Sequence, residues 1–230
     1  MKTSNYILIA FFTFLFGGIF ALFIAAKTNS NFNENTILDR IEQPLGSFSV
    51  VVAKAGAKIE LTKGTASKIM KVKPKDKASK FPEFIVRNDT LFVSAIAIQD
   101  DYPTSQITYQ KINAVLGEIN SQINLDQFVT DTFNITMRAG KLYYFPQNPT
   151  LVKSILNIQA SQGANIQINT FKIRNLNLSA DGNSVIDIQN TIIDQLSGTL
   201  KNWSRLTNYA GVSRLNLEVD STSTYYINKR

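Results

Sequence analysis

Few residue types in this chain could do chemistry, because the sequence contains neither cysteine nor histidine. That composition excludes disulfides, thiol nucleophiles, imidazole bases and zinc sites built on thiolate or imidazole ligands. Carboxylates, lysines and aromatic side chains remain. The candidate sites come from these three kinds of side chain, and their spacing decides what each site could be.

The carboxylates do not form an obvious catalytic set. The acidic groupings outside the lysine-rich segment are Asp100-Asp101, Asp126 with Asp131, and Asp187 with Asp194. Cleavage of a glycan needs two carboxylates at one substrate, and calcium needs several oxygens. Asp187 is predicted to lie between Gln167 and Thr207, which supply no second carboxylate. We predict no enzyme activity, catalytic residue, metal or cofactor. The alternative is an enzyme acting on acidic polysaccharide, which two carboxylates converging in one groove would favour.

Lysines are concentrated in one segment, which holds Lys54, Lys58, Lys63, Lys68, Lys71, Lys73, Lys75, Lys77 and Lys80. With Glu60 and Asp76 as its acids, this segment carries +7, the formal net charge of the whole chain. Two interpretations stay open. The segment could contact acidic polysaccharide or anionic lipid, the latter making the protein an envelope scaffold or sensor, or it could be a solvated strand edge that lysines protect from aggregation. The segment has one aromatic residue, Phe81, and no arginine, which argues against nucleic acid as a partner.

Aromatic residues form two local clusters, Tyr143-Tyr144-Phe145 and Tyr225-Tyr226. Exposed tyrosines could stack on a sugar or contact a protein, whereas inward-facing ones fill a core. Tyr143 and Tyr144 are the candidates for ligand stacking.

The N-terminal segment predicts membrane attachment. Residues 6–26 carry no charge, and a helix of that length extends about 30 Å, the thickness of a bilayer core. This length favours an uncleaved anchor over a cleaved signal peptide, although Ala25 and Ala26 would suit a cleavage site. The flanking positive charges are nearly balanced and do not fix the orientation. Residues 28–43 predict a polar linker that follows the anchor of residues 1–27.

A repeat of about 20 residues dominates the C-terminal half of the chain. Leu156, Leu176, Leu196 and Leu215 recur at steps of 20, 20 and 19. Ile173, Ile193 and Val212 keep the same period, and Ile135, Met137 and Ala139 precede Leu156, Ile158 and Ala160 by 21 each. Short period-2 apolar stretches at such a spacing indicate strands stacked in coils. The prediction is an all-β parallel β-helix, or β-solenoid, with an antiparallel sandwich as the alternative.

Stacked coils place equivalent residues in columns. Asn157, Asn177, Ser197 and Asn216 should form a polar column, and Arg174 should lie beside Asp194. Gly198 and Trp203 interrupt the repeat and predict a distorted inward row in the third coil.

Residues 44–110 alternate without the period and predict a β cap on the open N-terminal end of a solenoid spanning residues 111–230. Tyr225, Tyr226 and Ile227 would cover the other end.

The anchor, the stretch from FSVVV at 48–52 to DTLFV at 89–93, and coils of the form L-x-[IL]-x-A…I-x-I together resemble the bacterial family named putative autotransporter adhesin, head GIN domain. The resemblance spans residues 44–219 in layout, and the glycine-rich corners of that family are mostly Asn and Gln here. It implies an extracytoplasmic domain of adhesive or structural role in the cell envelope, without catalytic residues. Expected partners are the membrane through residues 6–26, and a glycan, anionic lipid or another envelope protein.

Overall fold

The structure is a computed structural model. The chain forms two compact units, Met1–Ile37 and Leu38–Arg230. It describes residues 38–74, 82–95, 105–127, 130–146 and 153–229, and in the first unit Thr13, Phe16 and Gly17, which are helical. The rest of the predicted anchor at residues 6–26 lies outside the described residues, as does most of the linker. No helix within the described part of the chain combines the length and apolar character needed to cross a membrane.

The second unit consists of strands, as the alternating sequence predicted. In chain order they are β1 (Leu38–Pro44), β2 (Val50–Ala53), β3 (Lys58–Lys63), β4 (Lys68–Pro74), β5 (Phe84–Arg87), β6 (Thr90–Val93), β7 (Ser105–Tyr109), β8 (Ala114–Gly117), β9 (Gln122–Leu125), β10 (Thr132–Arg138), β11 (Lys141–Tyr144), β12 (Lys153–Ser161), β13 (Asn165–Asn169), β14 (Lys172–Ala180), β15 (Val185–Gln189), β16 (Ile192–Leu200), β17 (Arg205–Val219) and β18 (Thr224–Lys229).

All of these strands except β1, β4 and β5 stack in two parallel ladders, so the predicted β-solenoid is confirmed. Among the described residues, the first ladder runs β6, β2, β8, β10, β12, β14, β16 and the second half of β17. The second ladder runs β7, β3, β9, β11, β13, β15, the first half of β17, and β18. Each coil contributes one strand to each ladder, and a short corner joins the two strands.

The core lies between the two ladders and consists of inward-facing apolar rungs. Leu156, Leu176, Leu196 and Leu215 are successive partners in the first ladder, as their period predicted. The first three are completely buried, whereas Leu215 is half-buried because its coil is the last on the first ladder. Ile173, Ile193 and Val212 form the predicted third row, also buried.

The polar column predicted on the outer face of the first ladder is present and begins one coil earlier. Asn157 Nδ2 donates to Asn134 Oδ1 at 2.8 Å, and Asn177 Nδ2 donates to Asn157 Oδ1 at 2.9 Å. Ser197 Oγ continues the chain by donating to Asn177 Oδ1 at 2.9 Å. These exposed bonds link successive coils side chain to side chain.

Two predictions about register, both for the pairing of β10 with β12, were wrong. Ile135 pairs with Ile158 and Met137 with Ala160, so the step between these coils is longer than predicted, because the connection from β11 to β12 is longer than in later coils. The shift moves each partner by an even number of positions, which keeps the same side chains inward. The β14–β16 ladder keeps the predicted step of 20 on both sides of Arg174 and Asp194, but Asp194 forms its ion pair with Lys172 (Nζ to Oδ1 2.9 Å).

The inward row of the third coil keeps its register instead of being distorted. Gly198 pairs with Leu178, and Leu200 pairs with Ala180. A side chain at Gly198 would collide with the backbone of Leu178, so glycine is what allows this rung to stack. Trp203 lies at the following corner, with a φ of 67° and its side chain 69% exposed.

At the N-terminal end, the order of coils in space differs from the order in sequence. β2 lies between β6 and β8, and β3 lies between β7 and β9. The second coil along the chain is therefore the outermost in the stack. Antiparallel strands cover its edges: β5 pairs with β6, and β4 with β7 and then β1. Strand pairing thus crosses residue 110, and the domain division drawn there stays a prediction.

Candidate functional site

A cleft of about 380 Å³ opens on the outer face of the second ladder. Its lining residues are Glu60, Leu61, Asn124, Leu125, Asp126, Tyr143 and Phe145. Glu60 pairs with Asn124, and Asn124 with Tyr143, so the three side chains form one outward column on β3, β9 and β11. Strand alternation directs the neighbouring Leu61 and Leu125 into the core, which gives the cleft a rigid base.

Two aromatic rings form one wall of this cleft. The ring centroids of Tyr143 and Phe145 lie 6.4 Å apart, with an angle of 21° between the ring planes. Phe145 is 46% exposed and Tyr143 half-buried, so ring surface is open to a ligand. An apolar ring face beside hydrogen-bonding groups suits the face and hydroxyls of a sugar.

The prediction for Tyr144 has to be corrected. Its side chain is 1% exposed, and it pairs with Leu125 and Ile168 on the inward side of the second ladder. Because successive residues of a strand point to opposite faces, Tyr143 and Tyr144 cannot both reach a ligand. Tyr144 fills the core, whereas ligand stacking by Tyr143 stays a prediction.

Of the two carboxylates of the cleft, Glu60 is on β3 and Asp126 directly follows the adjacent strand β9. Glu60 Oε2 accepts a hydrogen bond from Gln106 Nε2 at 3.1 Å. Asp126 lies two positions beyond Asn124, the partner of Glu60, and within the described part of the chain its buried Oδ1 has no hydrogen-bond partner. Burial raises the pKa of Asp126, the backbone N–H of Lys63 lowers it, and the charge of Glu60 raises it further.

Tyr109 is a buried neighbour of Asp126. Its hydroxyl donates to the backbone oxygen of Gln127 at 2.5 Å. Burial, and then the negative charge of Asp126, raise the pKa of Tyr109 far above its usual range, which keeps the phenol neutral. Tyr109 therefore acts as a hydrogen-bond donor that fixes the chain just after Asp126.

Sequence reasoning missed Glu60 as a partner of Asp126, since the two residues are far apart in the chain. Two triplets with the same apolar-polar-apolar pattern, Ile59-Glu60-Leu61 and Ile123-Asn124-Leu125, could have indicated that Glu60 lies near Asp126. They are paired rungs of the second ladder. The structure thus places two carboxylates in one cleft. Asp187 lies between Gln167 and Thr207, as predicted.

A second aromatic pair lies at the C-terminal end of the same face. The ring centroids of Tyr209 and Tyr226 are 5.6 Å apart, and each side chain is 57% exposed. Sequence reasoning did not single out Tyr209, because the irregularity between β17 and β18 hides its position beside Tyr226.

The lysine-rich segment is distributed over several elements. Lys54 Nζ lies 2.7 Å from Glu118 Oε1, Lys68 Nζ lies 3.0 Å from Glu42 Oε1, and Lys71 Nζ lies 4.4 Å from the ring centroid of Phe84. Lys58 and Lys63 are at the two ends of β3, and Lys73 is in β4. Lys75, Lys77 and Lys80 lie outside the described residues. Binding of these lysines to a polyanion or lipid surface stays a prediction.

Comparison with solved structures supports the fold. The chain is similar to the crystal structure of a putative adhesin from Bacteroides fragilis, with a TM-score of 0.58 and 13% identity, covering 82% of this chain and 94% of that one. Putative adhesins from Parabacteroides merdae and Parabacteroides distasonis give TM-scores of 0.50 and 0.52 at 11% and 9% identity. These two matches cover 83% and 85% of this chain, and 96% and 94% of those chains.

No protein-family model and no curated protein matches the sequence. Membership of the head GIN domain family therefore stays a hypothesis. At this level of identity the likeness concerns architecture: the chain has the fold of these solved structures.

Proposed function

We propose that this chain is a non-enzymatic binding domain, tethered outside the cytoplasm by residues 6–26, that recognises carbohydrate through the cleft of the second ladder. The observation that carries the proposal is the combination of the Tyr143–Phe145 ring pair with Asp126, whose buried oxygen is unused by the described residues. Rings supply stacking area, and carboxylate and amide groups supply acceptors and donors for sugar hydroxyls.

The fold is consistent with this role. A solenoid is rigid and presents long outward columns, which suits recognition of an extended surface. Similar solved structures bear the name putative adhesin, which supports a binding role at the cell surface. The tether is supported by the uncharged stretch at residues 6–26, which is long enough to span a bilayer as a helix.

Affinity electrophoresis through gels containing individual polysaccharides tests glycan recognition. The parent protein should be retarded by at least one polysaccharide, and the double variant Tyr143→Ala, Phe145→Ala should lose that retardation. Phe171→Ala is the matched control, because this ring is 56% exposed and lies outside the cleft. Equal retardation of the parent and the double variant would reject the cleft as the binding site.

Protease accessibility tests the extracytoplasmic assignment. External protease should degrade the folded domain in cells whose inner membrane is intact, after the outer membrane is opened if necessary. Degradation that occurs only once the inner membrane is broken would place the domain in the cytoplasm.

A second candidate function is hydrolysis of a glycan, because two carboxylates meet in one cleft and burial raises the pKa of Asp126. A carboxyl with a raised pKa can serve as a general acid beside an ionised partner. Release of reducing ends from a polysaccharide that the protein binds, abolished by Asp126→Asn while binding persists, would establish this function. Binding without release would retain the non-enzymatic proposal.

A further inference from the structure

The two exposed aromatic pairs lie at the ends of one continuous strip of the second ladder. Tyr143, Gln167, Asp187, Thr207 and Tyr226 are successive partners on β11, β13, β15, β17 and β18. Four strand steps of about 4.8 Å separate the first tyrosine from the last, about 19 Å in all. Phe145 stacks on Tyr143 at one end, and at the other end the rings of Tyr209 and Tyr226 are in contact with their planes tilted by 49°.

Half-buried polar side chains occupy the strip between the two aromatic pairs. They are Gln167, Asn169, Asp187, Gln189 and Thr207. Gln189 Nε2 donates to Asp187 Oδ2 at 2.8 Å, whereas the buried Asp187 Oδ1 has no partner among the described residues. Paired strands fix these groups at a regular spacing, so donors and acceptors recur along the stack. That regularity matches a ligand whose own hydroxyl groups recur along its length.

The charge of the strip restricts the ligand further. From β9 to β18 its two outward columns, those of Tyr143 and Phe145, contain Asp126 and Asp187, and no lysine or arginine occurs at their described positions. Along these two columns a polyanion would meet like charge, and the cations nearest in register, Lys141 and Arg205, lie on the neighbouring outward column. The backbone groups of the strip are already paired within the ladder, so an extended peptide could not add itself there as a strand.

We infer that the ligand is a linear, neutral polysaccharide lying along the solenoid axis, stacked on Tyr143 and Phe145 at one end and on Tyr209 and Tyr226 at the other. This inference rests on the proposed carbohydrate-binding function and specifies its ligand. Hydroxyl groups of the intervening sugar units hydrogen-bond to the polar residues between the two ring pairs.

Titration calorimetry of the full chain in detergent with oligosaccharides of two to six units tests this geometry. The probes are cello-, xylo-, laminari- and manno-oligosaccharides, with oligogalacturonate as the acidic comparator. In the neutral series that binds, affinity should rise with length until the ligand spans both ring pairs. Tyr209→Ala with Tyr226→Ala should lower the affinity for the longest ligand about tenfold and leave that for the shortest unchanged. The control Phe171→Ala should change neither affinity.

The outcomes separate this inference from the function on which it rests. The inference of an extended neutral ligand would be overturned by any of three results: equal affinity for short and long ligands, unchanged affinity in the Tyr209/Tyr226 variant, or preference for oligogalacturonate. In each of these cases, loss of binding in Tyr143→Ala would still support the cleft as the binding site. If Tyr143→Ala also binds as the parent does, or if no probe binds, both proposals fail. Circular dichroism of each variant shows that the fold is retained.

Discussion

At the scale of single residues, Gly198 occupies a position in the stack that has no room for a side chain. Its φ is 148°, and a Cβ atom there would overlap the backbone oxygen of Leu178. Gly163, with a φ of 81°, has nothing within 4 Å of the corresponding position. A methyl group should therefore carry a steric and a conformational cost at Gly198, and only a conformational cost at Gly163.

Gly198→Ala should lower the free energy of unfolding by more than about 2 kcal/mol, because the rung must separate to admit the methyl group. Gly163→Ala should cost about 1 kcal/mol, the usual penalty of a left-handed backbone with a side chain. Urea unfolding measures both values. Equal losses in the two variants would show that the close contact at Gly198 does not constrain the stack.

The raised pKa of Asp126 makes a prediction about pH. A carboxyl whose pKa is higher in the folded than in the unfolded chain contributes its full stability below its unfolded pKa, and loses that contribution as the pH rises through the folded value. Its ordinary pKa is 3.8. Asp126→Asn should therefore gain free energy of unfolding relative to the parent as the pH rises from about 3 to about 7.

Urea unfolding at a series of pH values checks this, with Asp131→Asn as the control for removing an exposed carboxylate. The test compares the free energy of unfolding of Asp126→Asn with that of the parent at each pH. If the variant does not gain on the parent as the pH rises, burial is contradicted as the cause of the raised pKa of Asp126.

Alternation of apolar and polar residues in the sequence separated inward from outward side chains wherever it was clear which positions of a strand face the core. This choice of inward positions is the phase of the strand. Around Tyr143 the phase was not known, because the residues that define the repeat in the sequence do not include β11. The pairing of Leu125 with Tyr144 sets that phase, and it depends on a contact between β9 and β11. Local sequence could therefore supply both tyrosines as candidates but could not choose between them.

At the scale of strands, neighbouring residues of β14 separate the contributions of core and surface. Leu176 is completely buried between Leu156 and Leu196, whereas Asn177 makes hydrogen bonds on the exposed face. Buried methylene groups hold successive coils together, while exposed hydrogen bonds compete with water.

Leu176→Ala should lower the free energy of unfolding by about 2–5 kcal/mol, because it leaves a cavity in the central rung. Asn177→Ala should cost about 1 kcal/mol or less. Thermal and urea unfolding provide the comparison. A larger loss for Asn177→Ala would mean that the polar column, rather than the apolar rungs, carries the stability of the stack.

Strand pairing was predictable from sequence only where the period was kept. From β12 onward the coils have a nearly constant length, and their register follows directly from it. The first coils lack the period, because the chain leaves the stack through β4 and β5 before it returns at β6. The position of β2 between β6 and β8 depends on contacts between strands that are far apart in the sequence, and local sequence patterns do not report such contacts.

At the scale of the whole molecule, one parallel stack positions the cleft and both aromatic pairs. The cleft of the second ladder exists because β3 and β9 are neighbours despite their separation in sequence. The two aromatic pairs face the same way because the later coils add in register. The binding face is therefore a consequence of the stacking order.

Spin-label distances along one outward column of the first ladder test that stacking most directly, and the absence of cysteine allows clean labelling. The column runs Ala114, Asn134, Asn157, Asn177, Ser197 and Asn216. With one label fixed at Ala114→Cys and the second at position 177, 197 or 216, the distances should be about 14, 19 and 24 Å, one strand spacing per coil. Distances that fail to increase in this order, as in a two-layered sandwich, would contradict the solenoid and every site built on it.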